Sequence, residues 1–303
     1  MNFEKFAAEY AEISGAVTFV AIGNLLMKVA INRHGPHRLW LRPIFIVGFL
    51  LACVAQVLGF YVFPQMPTGP VGVAALLVDY LLSPCILGNG APSDLLLGIS
   101  AIIGGCLLFQ FSPPNPLHCV DGVCDIVSAP AIDTAGMAAL TVVAALAFGS
   151  MLWLVSYDDS RGPAVFAASV MALGTAVGEH LRPSLKGYAI AVAGIFYILG
   201  IVALTESYAR RRGVAAGRGF YLIWSGLQSA LCGIVICRVH SKGMDTAHLA
   251  GFFVGAAILV LTPFLCGTAV IKSKSRFAMT SNGDSTSETE SLTGGRGSQV
   301  STW

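Results

Sequence analysis

The sequence predicts an all-α membrane protein, a polytopic bundle of about nine transmembrane helices. Nine apolar stretches follow one another between Ile13 and Ile271 with short polar gaps, each near the roughly 20 residues that a helix needs to span hydrocarbon. Composition agrees, with 55% hydrophobic and 11% charged residues, where a soluble domain carries about 25% charged residues. Mean hydropathy is +0.74. The bilayer core holds no water to satisfy backbone polar groups, so spans of this length are helices.

The spans fall at 13–32, 42–63, 69–87, 94–112, 134–156, 162–180, 187–207, 218–239 and 247–271. The first follows a short segment, 1–12, in which Glu4, Glu9 and Glu12 outweigh Lys5. That is the wrong sign for the n-region of a signal peptide, so span one is expected to be retained. The second carries Gln56 near its middle. The third is flanked by Pro70 and Pro84 and holds Asp79, which makes it the least regular. The fourth leads into the longest loop, 113–133, and the fifth closes it. The sixth, around Val165 to Gly178, is short and rich in Ala and Gly, so a half-buried helix is the alternative there. Its loss would reverse every later loop. The seventh ends at Glu206 before an arginine run, the eighth carries Gln228, and the ninth leads into the tail.

Loop charge supports all nine. Cytoplasmic loops carry the excess of Lys and Arg. With nine spans, one side collects Arg33, Arg38, Arg42, Arg161, Arg210, Arg211, Arg212, Arg218, Lys272, Lys274 and Arg276. The other side holds Lys5, Arg182, Lys186, Arg238 and Lys242, and the 113–133 loop has no Lys or Arg. Eleven against five, leaving aside Arg296 and the intramembrane Lys28, places the N-terminus outside or lumenal and the C-terminus in the cytoplasm, at the plasma membrane or an endomembrane. The tail, 272–303, is Ser, Thr, Gly and acidic residues with nothing to bury, and is expected to be disordered. Its hydroxyls between Ser285 and Ser291, with Glu288 and Glu290, are a candidate phosphorylation segment.

Cysteine and histidine chemistry is sparse. Cys53, Cys85, Cys106, Cys232 and Cys266 lie within spans, with Cys237 near an outer end. A thiol there behaves as a small hydrophobe. Cys119 and Cys124 lie in the outer loop, where a disulfide is permitted by compartment. A metal clip with His118 would leave the coordination shell short. The six histidines form no HExxH or comparable pattern, so no catalytic residue, enzyme or cofactor is predicted. The partners expected are the bilayer and a transported species, not nucleic acid.

Ionisable groups inside a span are costly and by default mark a functional path with a partner. Lys28 lies near the inner end of span one and is expected to snorkel. Glu179 and Glu206 are at helix ends, the latter close to Arg210. Asp79 and Gln56 sit near mid-span. With Asn24, they are expected to line a cavity and touch the transported species, Asp79 and Gln56 as metal ligands. The competing reading is a structural Asp79–Lys28 pair between spans one and three. Gly174 and Gly178, and Gly251 and Gly255, have the four-residue spacing that permits close helix packing.

The stretch from span two to span four reads Gly48…Gln56-Val-Leu-Gly-Phe60, Pro67, Gly69-Pro-Val-Gly-Val-Ala-Ala-Leu76, Leu82-Ser-Pro-Cys-Ile-Leu87 and Gly98…Gly104-Gly105. It resembles the NIPA-type magnesium transporters of the drug/metabolite transporter superfamily, with Pro70-Val-Gly72-Val standing where the family has Pro-Leu-Gly-Ala. Span one, from Ile22 through Lys28 to Gly35, and Leu249-Ala-Gly-Phe-Phe-Val254 are similar to the family's first and closing helices. The likeness is close over 15–112 and holds in outline over 134–271. It implies two inverted repeats, roughly 13–112 and 134–271, meeting around a central cavity, and transport of a divalent cation, Mg²⁺. The chain departs from the pattern at Gln56, where the family is acidic, and at Gly88-Asn89-Gly90, where it has Lys-Glu-Arg. Mg²⁺ is usually held through one or two carboxylates. A metabolite carrier of the same superfamily, or a non-transporting protein that keeps the fold, are therefore the alternatives.

Overall fold

The computed structural model describes residues 3–35, 38–62, 68–87, 92–111, 117–120, 123–126, 134–156, 161–181, 186–210, 213–239 and 246–281. Among them are nine helices: α1 (Phe3–His34), α2 (Pro43–Val62), α3 (Thr68–Leu87), α4 (Pro92–Phe111), α5 (Thr134–Ser156), α6 (Arg161–Leu181), α7 (Lys186–Ala209), α8 (Gly213–Val239) and α9 (Thr246–Ser281). Each overlaps one predicted span, though α1 begins well before Ile13 and α8 before Arg218. The segment between α4 and α5 holds two short strands, β1 (Leu117–Val120) and β2 (Val123–Ile126). They pair antiparallel, with Cys119 directly opposite Cys124.

Gly15–His34, Ala191–Ala209 and Thr246–Cys266 are each long and apolar enough to cross a membrane, and shorter apolar helical stretches lie in α2, α3, α4 and α5. The outer surface fits that solvent. Ile99, Ile102 and Ile103 on α4, Val142, Leu146 and Phe148 on α5, and Ile195, Ile198 and Leu199 on α7 are all exposed. A soluble monomer rarely presents so large an apolar surface, whereas a bilayer solvates it. The protein is a helical membrane protein. Trp40, half exposed between α1 and α2, meets Phe45 and Phe49 edge-on at 5.1 and 5.0 Å, the setting in which interfacial tryptophans are found. Gly35, with φ of 69°, ends α1, its N–H donating to the Ile31 carbonyl at 2.8 Å. That is the left-handed cap for which glycine is suited.

Small residues set the helix crossings. A Cβ on Gly23 would lie 2.7 Å from the Gly48 carbonyl oxygen and 2.8 Å from the Ala52 nitrogen, so α1 and α2 meet backbone to backbone. Of the predicted packing glycines, Gly174 lies against Phe196 of α7, Gly251 against Phe111 of α4, and Gly255 against Leu107 and the Gly104 carbonyl of α4. Gly178 is buried on α6.

The interior is built around α6 and α8. On α6, Ala164, Ala167, Ala168, Ala172 and Ala176 are buried, which lets α5, α7 and α8 all pack against it. The short, Ala-rich sixth span is thus an inner helix. A 2.7 Å hydrogen bond between the Thr175 and Tyr197 hydroxyls ties α6 to α7. The chain falls into two units, Met1–Cys266 and Gly267–Trp303. In the second, helical geometry continues to Ser281, beyond the predicted end of span nine.

Candidate functional site

Arg218 is the centre of the site. The arginine-rich sequence before it suggests a loop charge, yet it lies inside α8 and is only 2% exposed. Its two neighbours explain how a guanidinium is enclosed there. Gly217 presents no side chain where the Tyr208 ring of α7 lies, and a Cβ on Gly219 would stand 3.1 Å from Pro263 of α9. Two helices therefore close over Arg218 from either side. With Arg218 removed from the count of loop charges, the asymmetry between the two sides becomes ten against five and keeps its sign.

Arg218 faces α3. Its Nε is 3.5 Å from Oδ2 of Asp79, whose side chain is 13% exposed. The guanidinium carbon also lies 5.1 Å from the Tyr80 ring centroid, a cation–π distance. Lys28 of α1 does not snorkel. It is 6% exposed, and its Nζ lies 5.4 Å from the ring centroid of Tyr208. Tyr208 in turn is within electrostatic range of both Asp79 and Arg218. One buried neighbourhood thus gathers two cations and one carboxylate from α1, α3 and α8, with the phenol of α7. It sits near the end of the bundle where α1, α3 and α7 finish and α8 begins. The remaining described acidic side chain, Glu206, is half exposed and pairs with Arg210 at 3.2 Å, as its helix-end position predicts.

A polar face leads away from this cluster along α8. Arg218, Tyr221, Ser225, Gln228 and Ser229 follow at helical spacing and occupy one face. All five are buried. The Tyr221 hydroxyl, Ser225 Oγ, Gln228 Oε1 and Ser229 Oγ have no hydrogen-bond partner among the described residues, and neither does Trp224 Nε1 at the edge of this face. Ser83 Oγ on α3 is likewise buried with no partner among the described residues, whereas several buried hydroxyls on other helices are satisfied locally. Ser169 donates to the Val165 carbonyl at 2.8 Å, Thr175 to that of Met171 at 3.0 Å and Thr262 to that of Ile258 at 2.6 Å. That back-bond to the preceding turn is the easy solution for a hydroxyl in a helix. On α8 it is not taken.

The rest of α8 accounts for where this face looks. Gly219, Gly226 and Gly233, seven residues apart, receive Pro263, Ala256 with Val260, and Phe252 of α9. Gly217 receives Tyr208 of α7. The polar face lies between these two contacts, on the side where Arg218 meets Asp79. Leaving several polar groups buried and unpaired costs about 1–3 kcal/mol each. A face of this kind is built for water or a polar ligand.

Of the residues that the sequence singles out, Asp79 joins this cluster. Asn24 is 3% exposed, one helical turn from Lys28 on the same side of α1, and its Nδ2 has no partner among the described residues. The side chain of Gln56 lies outside the described residues, as do those of Glu179, Cys119 and Cys124. Among the described residues no three His, Cys, Asp or Glu side chains come together as a metal site. Sequence reading missed Arg218 and the α8 face. Their signals were the Gly217-Arg218-Gly219 triplet and polar residues recurring every three or four positions.

No protein-family model, curated protein or solved structure matches the chain.

Proposed function

We propose that the protein is a membrane transporter whose solute path runs along the polar face of α8, between two four-helix units. The observation that carries this reading is the row of buried polar groups from Tyr221 to Ser229 with no partner among the described residues, ending at the Asp79–Arg218 pair. A protein that used its helices only as scaffold would gain by filling those positions with apolar side chains. The neighbour relations support two units. α1 packs on α2 and α3, and α3 on α4; α6 packs on α7 and α8, and α8 on α9 through the glycine seam. On this reading α1–α4 and α6–α9 are equivalent, with α5 as an odd connecting helix that inverts the second unit. Asp79 and Arg218 then belong to the equivalent helices α3 and α8 and meet at the interface of the units, where transporters of inverted-repeat design place their substrate. With nine crossings, an outside N-terminus and a cytoplasmic C-terminus, the charged cluster lies toward the cytoplasmic face and the polar face extends from it into the membrane.

The resemblance to NIPA-type transporters implies Mg²⁺ as the solute. The geometry favours the other carrier reading, a small metabolite. Mg²⁺ is held by oxygen ligands that usually include one or two carboxylates, and the carboxylate offered here faces a guanidinium, with an ammonium close by. Purified full-length protein in proteoliposomes tests the proposal. Saturable uptake of an organic solute is the expected result. Saturable Mg²⁺ uptake would restore the cation reading, and vesicles inert to Mg²⁺ and to a broad panel of metabolites would make the protein a non-transporting membrane protein.

A further inference from the structure

We infer that the solute is a small organic anion whose carboxylate or phosphate exchanges with the Asp79 carboxylate on Arg218, with Lys28 supplying a second positive charge. This rests on the transport path proposed above and adds the class of solute. The charge count comes first. Arg218 and Lys28 are both buried cations, and Asp79, its side chain 13% exposed, is the carboxylate beside them among the described side chains. Among the described side chains the neighbourhood therefore carries one net positive charge, and charge held away from bulk water inside a helix bundle is costly. A monoanion entering the site brings the count to balance, whereas a cation raises it further.

Chemistry agrees with charge. A guanidinium offers a planar fork that matches carboxylate and phosphate oxygens, and the Tyr80 ring lies beside it. The neutral groups on the path can receive an anion. Trp224 Nε1–H is a donor only, and the hydroxyls of Tyr221, Ser225 and Ser229 donate as readily as they accept. Each is buried with no partner among the described residues. In the structure Asp79 occupies the place on Arg218 that the solute's oxyanion would take. It acts as a stand-in that keeps Arg218 neutralised while the path is empty.

The exchange predicts opposite signs for two variants. Asp79 competes with the solute, so Asp79→Asn tightens anion binding, whereas Arg218→Gln weakens it by about tenfold or more, the loss of one charge-assisted hydrogen bond. A cation site predicts the reverse for both. The assay is thermal unfolding of the purified full-length protein with succinate, citrate, inorganic phosphate or glycerol 3-phosphate, set against glycerol, putrescine and MgCl₂. At least one anion should raise Tm in a concentration-dependent way, while the neutral and cationic compounds do not. If either single variant fails to fold, Asp79→Asn combined with Arg218→Gln removes both charges together and should fold without responding to the anion. No response of the unmutated protein to any of the anions overturns the inference, as does an anion response that survives in the double variant or is lost in an Asp79→Asn protein that folds. Uptake separates this from the broader reading. Flux of glycerol, putrescine or Mg²⁺ without flux of an anion keeps the transporter and sinks the anion; an anion response with no flux of any solute keeps the anion site and sinks the transporter.

Discussion

Asp79 on α3 and Arg218 on α8 bring opposite charges to 3.5 Å inside an apolar bundle, the arginine held there because Gly217 and Gly219 on either side of it let two other helices close over it. Removing either partner of a buried pair leaves the other charge uncompensated, which typically costs about 3–5 kcal/mol. Asp79→Asn should sit at the upper end of that range, because a guanidinium cannot lose its proton. Arg218→Gln should cost less, since the stranded carboxylate can be neutralised by taking one up. The double variant should recover most of the loss. A double-mutant cycle on unfolding in detergent gives the coupling directly, and additive losses would show that the pair contributes nothing.

The α1–α2 crossing should be intolerant of any side chain at Gly23. Its Cβ would meet the Gly48 carbonyl oxygen at 2.7 Å, and backbone cannot swing aside. Gly23→Val should destabilise by at least about 1–3 kcal/mol, the usual cost of overpacking. Gly15→Ala is the control, because nothing lies within 4 Å of that Cβ. It should be neutral or stabilising by about 0.5–1 kcal/mol, the helical preference of Ala over Gly. Thermal unfolding of both in one detergent checks the contrast.

The β1–β2 hairpin should carry a disulfide. Two residues, Asp121 and Gly122, connect β1 to β2 in the sequence, and Asp-Gly is a strong signal for a tight two-residue hairpin. In such a hairpin the pair next to the turn is hydrogen-bonded and the following pair is not, with Cα atoms about 4.5 Å apart. Cys119 and Cys124 are that following pair, and the distance is within the range a disulfide spans. Mass mapping of non-reduced protein from its native membrane should find the linked peptide. Two alkylatable thiols would exclude it.

A C-terminal epitope should be protected in intact cells and reached only after permeabilisation, and an N-terminal one should show the reverse, or lie in the lumen if the protein is endomembrane. The opposite pattern would overturn the proposed orientation and move the charged cluster to the outer end of the bundle.

The helices were legible because apolar run length registers what a bilayer demands of every residue in a span; the bounds of α5, Thr134–Ser156, fall where the sequence places them. The charges were harder. Hydropathy prices Arg218 as though it had no partner, so with Arg210, Arg211 and Arg212 close before it, a loop was the natural reading. What offsets its cost is Asp79, on another helix far away in sequence. Lys28 misleads similarly, since a lysine near a helix end snorkels unless a partner such as the Tyr208 ring waits within the bundle. The Gly219, Gly226 and Gly233 seam was visible as a seven-residue spacing, but spacing alone does not say which helix it receives. The hairpin was missed because four-residue strands are too short to show alternation.

Water access to the α8 face tests the central claim most directly. In a cysteine-free background that still folds, Ser225→Cys and Ser229→Cys should react with a small, charged, membrane-impermeant thiol reagent, and a transported solute should slow that reaction. Ile195→Cys, on the lipid-facing side of α7, should stay inert. Thiols at 225 and 229 that never react, under any condition in which the folded protein is stable, would mean that no aqueous path runs along α8 and that its polar face is not a route for solute.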